Sequence, residues 1–438
     1  MRDSGWITAA LATRQEAVLA TNARRVTATS ILARAAALCD KLEPSKLSCI
    51  VVVTSDAEDV LTGFLIAEQL RSSVLLASHH FSRYIPELAA RSGAGAVIES
   101  GKILLRTGNI QAESTMEILL LTSGTGGVPK IVRHSSASLS SRIRVPIAPT
   151  QRVWLLTYLP SGFAGLQVLL TAVLADELVV WADPPTFPKA IEVAALSAVT
   201  HVSCTPTFLR GFLGAGADQR SMPAVRQLTL GGEAVDQTLL NAARAKFPSS
   251  KVCHIYATSE AGALFSVHDG REGFPAEWLQ YGVEGVQLKI ENGTLRVKSS
   301  RAMIGYLGQN GREDWIDTGD VVEIRGDRVL FAGRVDRRIN VGGYKISPED
   351  VERAILAVPG VVDVTVRAVR SPITGYVLAA DIVPDTATGS PDLRERIITS
   401  LRDTLAPYQL PRLWNFVPQL ETTAAGKKLR DELPAQSI

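Results

Sequence analysis

Between Leu121 and Ile131 the chain reads T-S-G-T-G-G-V-P-K. Thr122, Ser123 and Thr125 supply hydroxyls, Gly124, Gly126 and Gly127 leave their backbone N–H groups uncovered, and Lys130 adds a cation. Amides and hydroxyls in a glycine-rich loop suit phosphate oxygens, and a lysine contributes a positive point charge. The nucleoside-triphosphate loop G-x-x-x-x-G-K-[ST] is not matched, because after Gly124 the second glycine and the closing Ser or Thr both fall out of place. Taken alone, the stretch reads equally as a phosphate cradle or a plain turn.

The elements around it predict where such a loop would sit. Short β-branched runs alternate with helical patterns in "LSCIVVVTSDAEDVLTGFLIAEQLRSSVLLAS", in "VWLLTYLPSGFAGLQVLLTAVLADELVVWA", and again from "VTHVSCTPTFLRGFL" to "VRQLTLGGEAVDQTLLNAARAKF". That order argues for α/β layers around largely parallel sheets, in which ligands bind at the carboxyl ends of strands. After about Tyr281 the character changes. Asn292-Gly293 lies between two alternating runs, a strong hairpin signal, and a second hairpin turns at Gly326-Asp327. From Asp336 the pattern is a small α+β unit, with Ser347-Pro348-Glu349-Asp350 as a helix start that combines a capping hydroxyl, an early proline and acids near the positive dipole end. The fold class is therefore α/β: a large N-terminal domain, 1–335, of layered α/β subdomains plus a β-rich subdomain, then a small α+β C-terminal domain, 336–438.

Composition narrows the function classes. The chain has 438 residues, formal net charge +2, 46% hydrophobic and 21% charged residues, so a nucleic acid or an anionic membrane is not indicated as a partner. Cys39, Cys49, Cys204 and Cys253 are far apart without metal spacing, which predicts reduced thiols in a cytoplasmic setting. The first residues lack the basic start and apolar core of a signal peptide. Val153 to Ala175 carries no charge, but Pro160, Ser161 and Gly162 interrupt it, leaving about a dozen apolar residues against the roughly 20 that a spanning helix needs. Strand, turn and buried helix are predicted there, with no stable membrane insertion.

Six blocks in order tie the loop to a family. "TSGTGGVPK", "LGGEAV" (230–235), "YATSEAG" (256–262), "DWIDTGD" (314–320), "GRVDRRINVGGYKISPEDVE" (333–352) and "TAAGKKLR" (423–430) closely resemble the successive motifs of the adenylate-forming superfamily of acyl- and aryl-CoA synthetases, peptide-synthetase adenylation domains and luciferases. More weakly, "TATSILARAAALCDKL" is similar to that family's opening helix. The resemblance spans nearly the whole chain and is closest in type to a stand-alone acyl-CoA synthetase with a shortened N-terminal part.

What the resemblance implies can be carried over residue by residue. Thr122, Ser123, Gly124, Thr125, Gly126, Gly127 and Lys130 would hold the outer phosphates of ATP, with Ser259 beside them and Glu260 on Mg2+. Gly232, Glu233 and Ala234 would line the adenine and Tyr256 would stack on it, although a core aromatic is the competing reading of Tyr256. Asp320 would clamp the ribose, helped by Arg334, with Asp317 a local turn acid. Lys427, framed by Gly426 and Arg430, would bridge the substrate carboxylate and the α-phosphate, while Lys428 reads as a solvated surface charge. In relatives the small domain is mobile and rotates at the position of Asp336, which would bring the loop with Gly342 and Gly343 to a thiol's tunnel; those glycines also suit a tight turn.

Three departures from the family pattern stand out: Gly126 where a second threonine is usual, Ala257 and Ser259 in place of glycine and threonine, and a short stretch ahead of the loop. The segment "LPSGFAG" (159–165) has neither the aspartate that holds an amino acid's ammonium nor the histidine of many acyl-CoA synthetases. Since an unpaired buried ammonium is costly, ordinary α-amino acids are disfavoured. Phe163, Gly165, His201 and Thr205 are candidate acid-pocket residues, each also readable as core or loop packing. The expected activity is an ATP-dependent acid–thiol ligase acting on a fatty or aromatic acid, with coenzyme A as acceptor. The alternatives are loading of a separate carrier protein's phosphopantetheine and, from other classes, a weakened nucleotide-binding scaffold or a luciferase-like oxygenase.

Overall fold

The computed structural model describes residues 5–14, 16–42, 47–106, 116–122, 128–146, 151–309, 311–341, 344–371, 375–385, 392–423 and 427–429. Among them, two large sheets organise the N-terminal part. In the first, Ala17–Thr21, Leu178–Trp181, Val153–Leu156, His201–Cys204, Gln227–Gly231 and Lys251–Thr258 run parallel, and Arg25–Thr27 and Gly262–Val267 close the edges antiparallel. In the second, Ala94–Glu99, Cys49–Val53, Ser73–Ala77 and Ile118–Thr122 run parallel. Lys102–Arg106 flanks one edge, and Lys130–His134 followed by Gly305–Tyr306 flanks the other, all antiparallel.

Parallel strands covered on both faces read as unbroken apolar runs. Cys49–Val53 is such a strand, buried at all its positions. Its side chains alternate: Ile50 and Val52 enter one core cluster, Cys49, Val51 and Val53 another. The first of those clusters joins residues of both sheets to the helices Ala28–Cys39, Ala57–Leu70 and Phe163–Leu174, so these helices lie between the sheets. Asp56 starts the second helix by accepting from Glu58 N at 2.7 Å. The uncharged stretch resolves into strand Val153–Leu156, a turn in which Ser161 Oγ donates to Thr54 O at 3.0 Å, and helix Phe163–Leu174. Among the described residues no helix is long and apolar enough to cross a membrane.

The β-rich part is antiparallel, ordered Phe274–Pro275, Arg328–Arg334, Ile316–Arg325, Thr294–Lys298, Gln287–Glu291. The hairpin at Asn292-Gly293 has φ of 53° and 77°, the left-handed pair that a tight two-residue turn demands. Beyond it, helices Pro348–Leu356 and Leu393–Thr404 pack on Val361–Ser371, Gly375–Pro384 and Leu413–Phe416 around a core of their own. One detail corrects the sequence reading. Ser347 precedes the helix, yet its hydroxyl makes no cap; it donates to Ala332 O at 3.0 Å and so ties the small unit to the strand before it.

Candidate functional site

Strand Ile118–Thr122 returns as Lys130–His134 with Thr122 opposite Lys130, so both ends of the glycine-rich loop are pinned at the carboxyl end of a parallel strand. Ser123, Gly124, Thr125, Gly126 and Gly127 themselves lie outside the described residues. Lys130 is exposed, and its Nζ stands 5.1 Å from the centre of the Tyr306 ring, within cation–π range. The register that pairs Tyr306 with Val132 brings it there. Its hydroxyl donates to Glu260 Oε1 at 3.2 Å, so one tyrosine touches the lysine and the acid together. Glu260 is fixed from behind, since Met303 N donates to its carbonyl at 2.8 Å.

The carbonyl of Ser259 is held by His134, whose Nε2 donates to it at 2.7 Å while Nδ1 meets Ser138 Oγ at 3.0 Å. Facing a carbonyl, Nε2 must carry the proton of a neutral ring. Burial pushes the His134 pKa down to about 4, only partly opposed by the Ser259 contact.

On the other side, Tyr256 OH donates to Asp320 Oδ2 at 2.5 Å and Arg334 Nη1 reaches Asp320 Oδ1 at 3.0 Å. The Tyr256 ring is packed among Phe265 and Phe331, with ring centres 5.4 and 4.9 Å away, so core packing is part of its role. Burial raises the Asp320 pKa despite the neighbouring Arg334. Arg334 also spans to Asp336, Nε to Oδ1 at 3.1 Å, where the β-rich strand gives way to the small unit. Asp317 accepts from Gly319 N at 2.9 Å, but it lies within strand Ile316–Arg325 and also pairs with Arg296 at 3.3 Å, so it is more than a local turn acid.

Lys427 comes from the far end of the chain. A bridge between Thr422 and Lys428 makes a terminal hairpin, and Thr423 N donates to Lys427 O at 2.7 Å. The side chain lies against Gly232: a Cβ there would sit 3.4 Å from Lys427 Cε and 4.0 Å from Nζ. Gly232 has φ of 84°, so glycine is favoured by the backbone as well as by the space. Burial lowers the Lys427 pKa; Glu233 and Asp320 oppose that shift, and Arg337 and Arg334 add to it. The Glu233 carboxylate turns to Thr207, accepting from its N at 3.0 Å and Oγ1 at 2.7 Å, and to Lys428 N at 3.2 Å.

Lys428 is a correction. It is not a solvated surface charge: its side chain is 10% exposed, Nζ donates to Val364 O at 2.5 Å, and Asp363 Oδ1 is 2.9 Å away. An ammonium so far from water requires a carboxylate beside it.

The four pocket candidates separate. Phe163 opens its helix with its ring 5.8 Å from that of His134, beside the site. Thr205 is buried at the carboxyl end of its strand, where its methyl would be 3.8 Å from a Cβ on Gly232. Gly165 instead packs under the 159–160 turn, where a Cβ would fall 2.1 Å from Leu159 O. His201 begins the same strand that Thr205 follows and stacks on Trp154 at 4.7 Å, at the opposite strand end. Gly342 and Gly343 lie outside the described residues, as do Gly426 and Arg430. Ala234 belongs to the same loop as Gly232.

Sequence reasoning missed Tyr306, His134, Thr207 and Asp363. None sits in a motif spacing, and each acts only across a sheet edge or between distant segments. The geometry therefore gathers cations (Lys130, Arg334, Lys427), carboxylates (Glu260, Asp320) and an aromatic ring at strand ends. Such an arrangement can hold a phosphorylated ligand and neutralise charge on it. Among the described residues no group of three or more His, Cys, Asp or Glu could hold a metal by itself; Glu260 can contribute one carboxylate.

Comparison with known proteins agrees in extent. A family model described as "AMP-binding enzyme" matches residues 9–307, and one described as "AMP-binding enzyme C-terminal domain" matches residues 350–427. The chain is 27% identical over 358 residues to a 2-succinylbenzoate–CoA ligase of Bacillus velezensis, covering 74% of this chain and 71% of the relative. It is 24% identical over 432 residues to a mitochondrial acyl-coenzyme A synthetase of Mus musculus, covering 90% and 72%. Among solved structures, a benzoate CoA ligase from Burkholderia xenovorans superposes with TM-score 0.77 at 19% identity, covering 97% and 98%, which establishes likeness of fold.

Proposed function

The chain belongs to the AMP-binding enzyme family, and from that premise we propose that it is an ATP-dependent acid–thiol ligase that makes an acyl-adenylate and then a coenzyme A thioester. In the first step a carboxylate oxygen of the acid bonds to the α-phosphorus of ATP, and the bond to the leaving pyrophosphate breaks. In the second, the thiol sulfur bonds to the acyl carbon and AMP departs; the thiol proton goes to solvent.

The observation that carries this reading is Lys427 half-buried against Gly232, with Asp320 and Arg334 close enough to influence its charge. A cation delivered there bridges the acid's carboxylate and the α-phosphate as negative charge gathers between them. Lys130, with the glycine-rich loop, steadies the outgoing pyrophosphate. Asp320 takes the ribose hydroxyls, and Arg334 at 3.0 Å opposes the burial that raises that carboxyl's pKa. Mg2+ commonly takes one or two carboxylates together with phosphate oxygens, so Glu260, with one oxygen bonded to Tyr306, fits as its protein ligand. When bound, the ion would supply charge neutralisation at the phosphates. Phe163 and Thr205 border the acid, and the apolar surroundings of Phe163 favour an aryl or fatty chain. The small unit, from 336 onward, carries Lys427 to the site and then moves about Asp336 to admit the thiol.

The named relatives are coenzyme A ligases, which supports coenzyme A over a carrier protein as acceptor. Incubation with ATP, magnesium, coenzyme A and single aryl or fatty acids should release AMP and acyl-CoA in equal amounts for one acid class. AMP release without thioester, or ADP as the product, would overturn the proposal.

A further inference from the structure

The terminal hairpin that carries Lys427 is held by a buried chain of charges that the site chemistry does not use. Arg210, on helix Pro206–Gly214, is 8% exposed. Its Nη2 pairs with Asp236 in the loop after Gly232, and its Nε lies 3.4 Å from Asp363 Oδ1, on the first strand of the small unit's sheet. Asp363, 5% exposed, also takes Lys428 Nζ at 2.9 Å. Lys428 Nζ donates to Val364 O and stands 3.8 Å from Glu352, while its backbone N–H goes to Glu233. Glu233 is itself fixed by Thr207 on the same helix as Arg210. The chain of contacts therefore runs from the large part, through Asp363, to the residue next to Lys427.

We propose that Arg210, Asp363 and Lys428 form an ionic clasp between the two parts of the molecule that positions Lys427 for adenylate formation. The inference rests on the ligase reading above and deepens it. The three residues are positioning groups, since none touches the reacting atoms. Two facts set the direction of the effect. Asp363 is shared by cations from both parts, so losing its contact with Arg210 removes an ionic tie across the boundary while Arg210 keeps Asp236 and Asp363 keeps Lys428. Lys428 is the immediate neighbour of Lys427, so a shift of its ammonium turns the hairpin at the site. The clasp acts only while the small unit faces Gly232; a step that requires the unit to leave should not depend on it.

Lys428→Met, Asp363→Asn and Arg210→Gln, with Lys428→Arg as the conservative variant, test this in the full chain. Each is assayed for acid-dependent ATP–pyrophosphate exchange and, separately, for thioester formation from supplied benzoyl-adenylate and coenzyme A. Loss of a buried partner should lower exchange about tenfold or more, while thioester formation from the adenylate changes less than about threefold. Lys428→Arg should recover most of the exchange, and the Arg210→Gln/Asp363→Asn pair should lose less than the product of the single losses. Equal losses in both half-reactions would overturn the clasp. Hydrogen exchange of peptides covering 420–429 gives a readout that needs no substrate: faster exchange in Lys428→Met, with an unchanged melting temperature, supports the clasp, and unchanged protection overturns it. If the unaltered chain makes no adenylate, the ligase reading fails, whereas this exchange result still decides the clasp.

Discussion

His134 gives the account a test that depends on no substrate. It is fully buried, its Nε2 proton is committed to Ser259 O, and its Nδ1 faces Ser138. Charging the ring would place a cation in a dry site where its polar contacts among the described residues are Ser259 O and Ser138 Oγ, and that burial is why its pKa falls to about 4 from an ordinary 6.5. The sign follows by linkage. Between the two values the unfolded chain binds a proton that the folded chain refuses, so stability is complete above about pH 6.5 and is lost as the pH falls towards 4. The loss is about 2 kcal/mol by pH 5 and about 3 kcal/mol by pH 4 from this ring alone. His134→Gln can still donate to Ser259 O yet has nothing to titrate. The assay pairs urea denaturation at pH 7.5 and 5.0 with nuclear magnetic resonance titration of ring-labelled histidine. The variant should be less acid-sensitive than the parent by about 2 kcal/mol at pH 5, and of the rings that stay neutral down to pH 5 in the parent, which include His201 with a pKa of about 4, one should be missing in the variant. Equal acid sensitivity in the two proteins, or a His134 resonance titrating near 6.5, would refute the reasoning.

Other consequences follow from the site. Because burial lowers the Lys427 pKa and its charged form is the useful one, pyrophosphate exchange should decline on the alkaline side below the ordinary lysine pKa of 10.5, and Lys427→Arg should move that decline upward. Tyr306→Phe keeps the ring beside Lys130 but loses the bond to Glu260, so exchange should fall about threefold to tenfold, and Tyr306→Ala should fall further; equal effects would remove the ring from the account. Gly165→Ala would press a methyl into Leu159 O, and a cost of about 1–3 kcal/mol is expected by denaturant titration; an unaltered midpoint would show that the turn can yield.

The sequence was most legible where a local rule acts. Asn292-Gly293 specified its hairpin because two left-handed residues in a row admit few alternatives, and the Pro160 to Gly162 break divided an apolar run into strand and helix. The ordered motifs singled out Lys130, Glu260, Asp320, Arg334 and Lys427, and the fold sets Tyr306 against the first two and Asp320 beside Arg334. What escaped was whatever depends on sheet order and on segments distant in the chain. Tyr306 meets Lys130 because a two-residue strand joins a sheet edge, which periodicity cannot reveal. Lys428 read as a surface charge because its partners Asp363 and Glu352 are more than sixty residues away in the chain. Ser347 looked like a helix cap, but Ala332 O offered its hydroxyl a tertiary partner. His201 and Thr205 share a strand region, and only the strand's direction places one near Gly232 and the other at the far end.

The most direct test of the central claim is carboxylate-dependent ATP–pyrophosphate exchange, run across aryl, fatty, dicarboxylic and amino acids with Lys427→Ala alongside the parent. The account predicts exchange with an aryl or fatty acid and its loss by at least about a hundredfold in the variant, whose fold and ATP binding persist. Exchange that survives the substitution would contradict the role given to Lys427, and ATP binding without exchange for any acid would contradict adenylate formation itself.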